Sequence, residues 1–183
     1  MSSVPPPTIS PDRIKGNASD GAKELLSNPA AFFQGRQELR TLPVFGDDIN
    51  RRVVVTEANI KAGPRSHCIA LLVAEYLIDM TNGGGGIHGG CLAFLVDCLT
   101  TLALVAYSLD VDDQFFAGVS QNINVTYHSP AAAGDKLRIV NYTVAGGARA
   151  KTARCEIWNA THHRIVASGS HIKMNPSQPS SKL

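Results

Sequence analysis

TNGGGGIHGGCLAFLVDCLTTLALVAYS, residues 81–108, decides how the rest of the chain is read. Its first ten residues hold six glycines. Glycine loses the most backbone entropy on ordering, so this run is interior to neither a helix nor a stable strand. It reads as a loop whose backbone approaches something closely. Cys91–Ser108 then contains no Gly or Pro and is dense in Leu, Ala and Val. That stretch predicts one helix of about 27 Å, at roughly 1.5 Å per residue. It is apolar almost all round, which places it at the centre of a fold.

Strand patterns flank this centre. Downstream, Val119, Gln121, Ile123, Val125 and Tyr127 alternate with Ser120, Asn122, Asn124 and Thr126 until Ser129-Pro130 ends the run. Strict alternation puts Ser120 on the polar face. Leu137–Val144 and Arg154–Asn159 follow, joined across Gly146-Gly147, and Arg164–Met174 supplies the last strand. Upstream, Arg51–Ile60 is a strand. Ser66–Ile78 is apolar enough for a buried helix, but its place before the glycine run favours a strand. One central helix with five to six strands, mostly joined by hairpins, predicts an α+β fold with an antiparallel sheet wrapped around the helix. Residues 1–18, with four prolines, read as a flexible arm, and Ser19–Glu38 as helical around a break at Pro29. The expected division is an extension over 1–45, a domain over 46–174 and a flexible tail over 175–183.

Composition narrows the function. The chain has 183 residues, 44% hydrophobic and 17% charged, with a net charge of +2. That supports a real core without disulfides and shows no basic stripe for nucleic acid. No apolar stretch runs uninterrupted for the ~18 residues of a membrane span, and MSSVPPPTIS lacks a secretory layout; a soluble intracellular protein is expected. Cys68, Cys91, Cys98 and Cys155 show neither CxxC nor zinc spacing and read as small packing residues.

The chemistry gathers around the glycine run. No Gly-Lys-Ser/Thr closes it, so it is not a nucleotide phosphate loop, and nothing around it supports a dinucleotide site. His88-Gly89-Gly90 abuts a helix start, where free N–H groups receive an anion or a polarised carbonyl oxygen. Asp97 sits inside the apolar helix, where a carboxylate is costly unless paired or open to a cleft. It lies eight residues beyond Gly89, about 12 Å along the axis and roughly 80° round it. One chain does not readily bring both to one reacting carbonyl. Two antiparallel copies of the helix do, so joint action requires at least a symmetric dimer.

Asn82, His88-Gly89-Gly90, Leu95-Val96-Asp97, Gly118-Val119-Ser120 and Asn124-Val125-Thr126-Tyr127 with Ser129-Pro130 resemble the hotdog-fold acyl-CoA thioesterases. The branch is that of thioesterase superfamily member 2 and the phenylacetyl-CoA thioesterases. The resemblance covers roughly residues 45–174 and rests on HGG-x6-D combined with the later segment. It implies a hotdog fold, hydrolysis of acyl-CoA to acid and CoA, no cofactor beyond the CoA of the substrate, and a homodimer or homotetramer. It implies that Gly89 donates its N–H to the thioester oxygen and that Asp97 of the partner subunit acts as general base or nucleophile. Asn82 orients the thioester or water, Ser120 orients the carboxylate or water, and His88 steadies the loop or contacts the thioester.

CoA carries phosphates, and Arg149 and Lys151 in the hairpin GGARAKTAR are the expected contacts, with Gly90 at the substrate; Arg138 and Arg154 are weaker candidates. His162-His163 belong to a turn, and His128 lies at a strand end. Ser181-Lys182-Leu183 has the form of the address read by the peroxisomal import receptor when it ends a chain. Two other readings stay open. A hotdog-fold hydratase usually pairs the Asp with a His five residues on, but residue 102 is Leu. A non-catalytic acyl-CoA sensor or carrier would bind without releasing CoA.

Overall fold

The computed structural model describes residues 9–35, 44–61, 67–73 and 77–175, so Ser181-Lys182-Leu183 and most of the tail lie outside the described residues. Three short helices open the chain: α1 (Asp20–Ser27), α2 (Pro29–Gln34) and α3 (Asp47–Asn50). Then come β1 (Val53–Asn59), β2 (His67–Val73), α4 (Gly89–Val111), β3 (Val119–Tyr127), β4 (Lys136–Gly146), β5 (Ala150–Asn159) and β6 (Arg164–Met174). The strands form one antiparallel sheet in the order β1-β2-β4-β5-β6-β3. The expected strand over Ser66–Ile78 is shorter: β2 stops at Val73, and Leu77–Met80 form a 3-10 turn.

Alternation builds the inner face. Leu137 and Ile139 of β4, and Cys155 and Ile157 of β5, are buried against Leu95, Leu99, Leu102 and Ala106 of α4. The helix begins two residues before Cys91, with His88 as N-cap, and ends three residues beyond Ser108. At 23 residues it is long and apolar enough to cross a membrane by length and composition, contrary to the expectation that no segment was. The sheet wraps it instead, and 72% of its most apolar window is buried. Contact is close at Gly169 of β6, where a Cβ would lie 2.8 Å from Val96 Cγ1, and closer still at Gly146 of β4, where it would lie 2.5 Å from the Tyr107 ring. Any side chain at Gly169 would push α4 off the sheet.

Two expectations are corrected. Residues 9–18 are not a free arm. Ile14 is 1% exposed, Lys15 N–H donates to Thr56 O at 3.0 Å and Ala58 N–H donates to Lys15 O at 2.8 Å. Ser19 caps α1 by accepting from Ala22 N–H, and its own N–H and hydroxyl donate to Asp110 near the end of α4. The segment therefore clasps both β1 and the helix. Pro11 limits regular structure without preventing packing, because Ile14, Ala18, Ala22 and Leu26 join the core.

The second correction concerns β3. Its pairing with β6 slips between Ser120 and Asn122, leaving Gln121 as a bulge residue. Ser120 lies opposite Lys173, and Ile123 opposite His171. A bulge inserts one residue and reverses the alternation beyond it. Ser120 consequently shares the helix-facing side with Ile123 instead of lying on a separate polar face. β3 is an edge strand, and Val119, Ile123 and Tyr127 remain exposed.

Candidate active site

The glycine run forms a tight loop held by Asn82. Its Oδ1 accepts from Gly84 N–H at 2.9 Å and Gly86 N–H at 3.2 Å, while its backbone N–H donates to Gly86 O at 2.7 Å. His88 N–H donates to Met80 O, and His88 Nδ1 accepts from Gly90 N–H at 2.9 Å. The His88 ring therefore caps the helix and steadies the loop. Gly90 N–H is thereby committed to His88 and is not a free donor for substrate. Gly89 is the first helical residue, where an N–H has no carbonyl one turn back. Tyr127 Oη donates to Gly89 O at 3.0 Å and pins this end of α4 to β3.

Asp97 lies two turns further on, with its side chain 43% exposed in a helix otherwise mostly buried. Ser120 Oγ donates to Asp97 Oδ1 at 3.4 Å. Behind Ser120, His171 Nε2 lies 2.9 Å from Ser120 Oγ and 3.7 Å from Asp97 Oδ1. His171 Nδ1 is 2.6 Å from Thr100 Oγ1. Burial pushes the His171 pKa down to about 4, Asp97 opposing and Lys173 adding to the shift. Lys173 Nζ donates to Thr101 Oγ1 at 3.1 Å, and burial lowers its pKa against the pull of Asp97. Cys98 is a free thiol pushed up to about 12 by burial and by Asp97, which makes it inert at neutral pH.

Asp97 and Ser120 border a cavity of about 570 Å³ walled by Phe32, Phe33, Phe45, Phe94 and Phe115. Phe45 meets Phe94 edge-on at 5.3 Å between centroids, and Phe32 meets Phe115 at 6.1 Å. Gly46 makes the first contact possible: a Cβ there would fall 2.1 Å from the Phe94 ring. The arrangement is a carboxylate with an ordered hydroxyl beside it, open to a space suited to an apolar group.

The sequence-derived candidates thus fall into two sets. Asp97 and Ser120 meet; Asn82, His88 and Gly89 gather at the N-terminus of α4, and the chain does not bring the sets together. Lys151 is corrected. It is 4% exposed, its Nζ pairs with Asp112 Oδ2 at 2.5 Å, and it packs over the Tyr107 and Phe116 rings, so it is a structural cation with no access to phosphates. Arg149 is exposed at the hairpin tip, while Arg138 and Arg154 are exposed between buried neighbours and point away from α4. His128 contacts Ser168 Oγ at 2.9 Å, and His162 sits 3.3 Å from Asp135 Oδ1 in the β5–β6 turn. No candidate metal cluster of His, Cys, Asp or Glu occurs among the described residues. Sequence reading missed His171, Thr100 and Lys173. The signal was their spacing: His171 and Lys173 stand two apart on the last strand, and one inward residue implies the other.

A long helix held in an antiparallel sheet, presenting an N-terminal donor and a lone carboxylate, defines a hotdog-fold protein. The family model of the thioesterase superfamily matches residues 84–166. Acyl-coenzyme A thioesterase 13 of Mus musculus is 31% identical over 122 residues, 67% of this chain and 81% of that protein. The crystal structure of zebrafish thioesterase superfamily member 2 matches with a TM-score of 0.62 at 26% identity, covering 82% of this chain and 98% of that one. The E. coli PaaI protein, from the phenylacetic acid degradation operon, has the same fold, with a TM-score of 0.57 at 18% identity over 83% of this chain and 96% of that one. The chain belongs to the thioesterase superfamily.

Proposed function

We propose that the chain hydrolyses acyl-CoA thioesters to a carboxylic acid and CoA at a site shared by two antiparallel copies. One observation carries the reading: Asp97 is ordered by Ser120 and open to an aromatic cavity, yet stands about 12 Å along the axis from the Gly89 donor of its own helix. A second copy reversed against the first closes that gap. The exposed apolar residues Ile123 and Tyr127 on the open edge of β3 favour such a partner, because an unpaired apolar edge is otherwise an aggregation hazard.

In the reaction, Gly89 N–H polarises the thioester carbonyl, which the helix N-terminus favours as negative charge develops. Asp97 of the partner subunit takes a proton from water as the water adds to that carbonyl. Collapse of the tetrahedral intermediate breaks the C–S bond and releases CoA thiolate, which is then protonated. The Asn82 amide Nδ2 is the second donor near the thioester. The acyl group occupies the phenylalanine cavity, so apolar acyl groups are the expected class. Arg149 is the cation for the CoA phosphates. No cofactor enters these steps. The hydratase reading loses ground further, since Leu102 is buried in the core and His171, though near Asp97, is fully buried behind Ser120.

Complementation tests the shared site. Gly89→Pro removes the N–H at a first-turn position that tolerates proline, and His88 already has extended backbone angles. Mixed with Asp97→Asn in equal amounts, it should restore about a quarter of wild-type turnover, the statistical share of intact sites in a symmetric dimer. No recovery in proven hybrid dimers would refute a site built from two chains. Saturable acyl-CoA binding with no thiol release would instead establish a sensor. Ser181-Lys182-Leu183, where Leu183 is the carboxyl terminus, is proposed as a peroxisomal address; organelle import that survives deletion of Lys182-Leu183, in cells lacking the intact chain, would remove it.

A further inference from the structure

We infer that Lys173 receives a carboxylate carried by the acyl group, so that the substrates include acyl-CoA thioesters with a second, terminal carboxylate. The inference deepens the thioesterase reading and rests on it for the substrate, while the cation site stands on geometry alone.

Lys173 is 6% exposed and borders the cavity of Asp97 and Ser120. It lies opposite Ser120 in the β3–β6 register. Its ammonium carries three N–H donors and no acceptor. Thr101 Oγ1 has one proton, which goes to Asp97 O at 2.7 Å, so its lone pair accepts from Lys173 Nζ at 3.1 Å. One N–H is thereby placed. Among the described residues Nζ has no ion pair and no second acceptor. Lys151, facing it on β5, is a finished buried lysine: Asp112 neutralises it and two aromatic rings cover it. Burial lowers the Lys173 pKa, and Asp97 and Cys98 oppose the shift. An ammonium without a counter-charge is costly to bury, and an anion brought by the substrate supplies one.

Position then sets the length of the ligand. Asp97, Cys98 and Thr101 line one side of the cavity along α4. Thr101 is one turn beyond Asp97, about 6 Å along the axis. A thioester whose carbonyl reaches Asp97 therefore runs its acyl chain towards the ammonium. Phe32, Phe33 and Phe115 stand beside the same space and take the apolar stem. Acyl groups of about four to eight carbons span one helical turn. Asp97 repels a second carboxylate. Attraction at hydrogen-bond contact nevertheless outweighs repulsion from a charge about twice as far away. A carboxylate also makes a charge-assisted bond to the ammonium, stronger than that of a neutral oxygen.

CoA thioethers, which cannot be hydrolysed, test the site on the full chain. One series carries ω-carboxyalkyl groups and the other their methyl esters. Calorimetric titration should show the acid binding about 10- to 100-fold more tightly than its ester at the best length, the range for a hydrogen bond to a charged group. Lys173→Met keeps the length of the side chain without its charge and should bring that ratio to within about threefold of one. Equal affinities in wild type mean that solvent alone serves the ammonium, and overturn the proposal. An acid preference that survives in folded Lys173→Met overturns it as well. If that variant does not fold, the wild-type titrations decide. Thiol release from the matching thioesters separates the two readings. Preferential binding of the acids without thiol release removes hydrolysis and leaves the Lys173 site; cleavage with no preference in binding removes the Lys173 site alone.

Discussion

The two ends of α4 are made from similar residues and are finished in opposite ways. Around Tyr107–Asp112 every charge has a companion: Lys151 pairs with Asp112, and Ser19 bonds Asp110. Around Gly89–Asp97 the helix is left incomplete, with a first-turn N–H unused by the helix and a carboxylate open to a cavity. Cross-strand neighbours repeat the contrast. Lys151 and Lys173 face each other on β5 and β6 and are both buried, but the first is neutralised by a carboxylate while the second bonds only a hydroxyl beside Asp97. Completed polar groups stabilise this fold, and the incomplete ones are where the proposed reaction is placed.

That contrast breaks if changes at the open end alter stability, or changes at the closed end alter turnover. The largest effect belongs to Asp97→Asn, which should lower kcat by ~100-fold or more, the cost of losing a general base, with the melting temperature unmoved. Near-normal turnover would remove Asp97 from the mechanism. Lys151→Met at the closed end should cost about 1–2 kcal/mol in a urea melt, because Asp112 is partly solvated and tolerates the loss. Its kinetics should not change; a raised KM would return this cation to the substrate.

His171 lies between the ends and gives a pH signature. Its folded pKa is lowered to about 4 by burial, against an ordinary value of 6.5. Below 6.5 the unfolded chain therefore binds the extra proton. Stability from the neutral buried ring is full above 6.5 and is lost as pH falls towards 4, with Asp97 opposing the loss and Lys173 promoting it. Thermal melts across this window should fall less steeply for His171→Gln than for wild type; parallel slopes would show that the ring titrates normally. The smallest effect expected is Arg149→Ala, raising KM for acyl-CoA about two- to fivefold, as for one exposed charge contact.

The central helix, the antiparallel sheet of five to six strands around it and Asp97 were legible because composition and period report burial directly. Ser120 was legible as a residue and misplaced as a face. Period-two counting assumes an unbroken ladder, and the Gln121 bulge breaks it where the strand reaches Asp97. Lys151 was misread for the opposite reason. Counting back from Ile157 through Cys155 and Ala153 places it inward, but a charge near a glycine turn reads as solvated. His171 was overlooked because its partners arrive from α4 and β3, 71 and 51 residues away in the chain.

The sheet order also constrains how the protein emerges during synthesis. β3 is made before β4, β5 and β6, yet its hydrogen-bonded neighbour is β6. From the time Tyr127 leaves the ribosome until Met174 follows, its apolar side chains wait without a strand beside them. The same late strand delivers His171, so a nascent chain that already displays Asp97 and Ser120 holds neither in working order. Local hairpin closure of β4 through β6 is the step that ends this interval, and elongation speed across the 47 residues from Tyr127 to Met174 sets how long a sticky edge stays open to other chains.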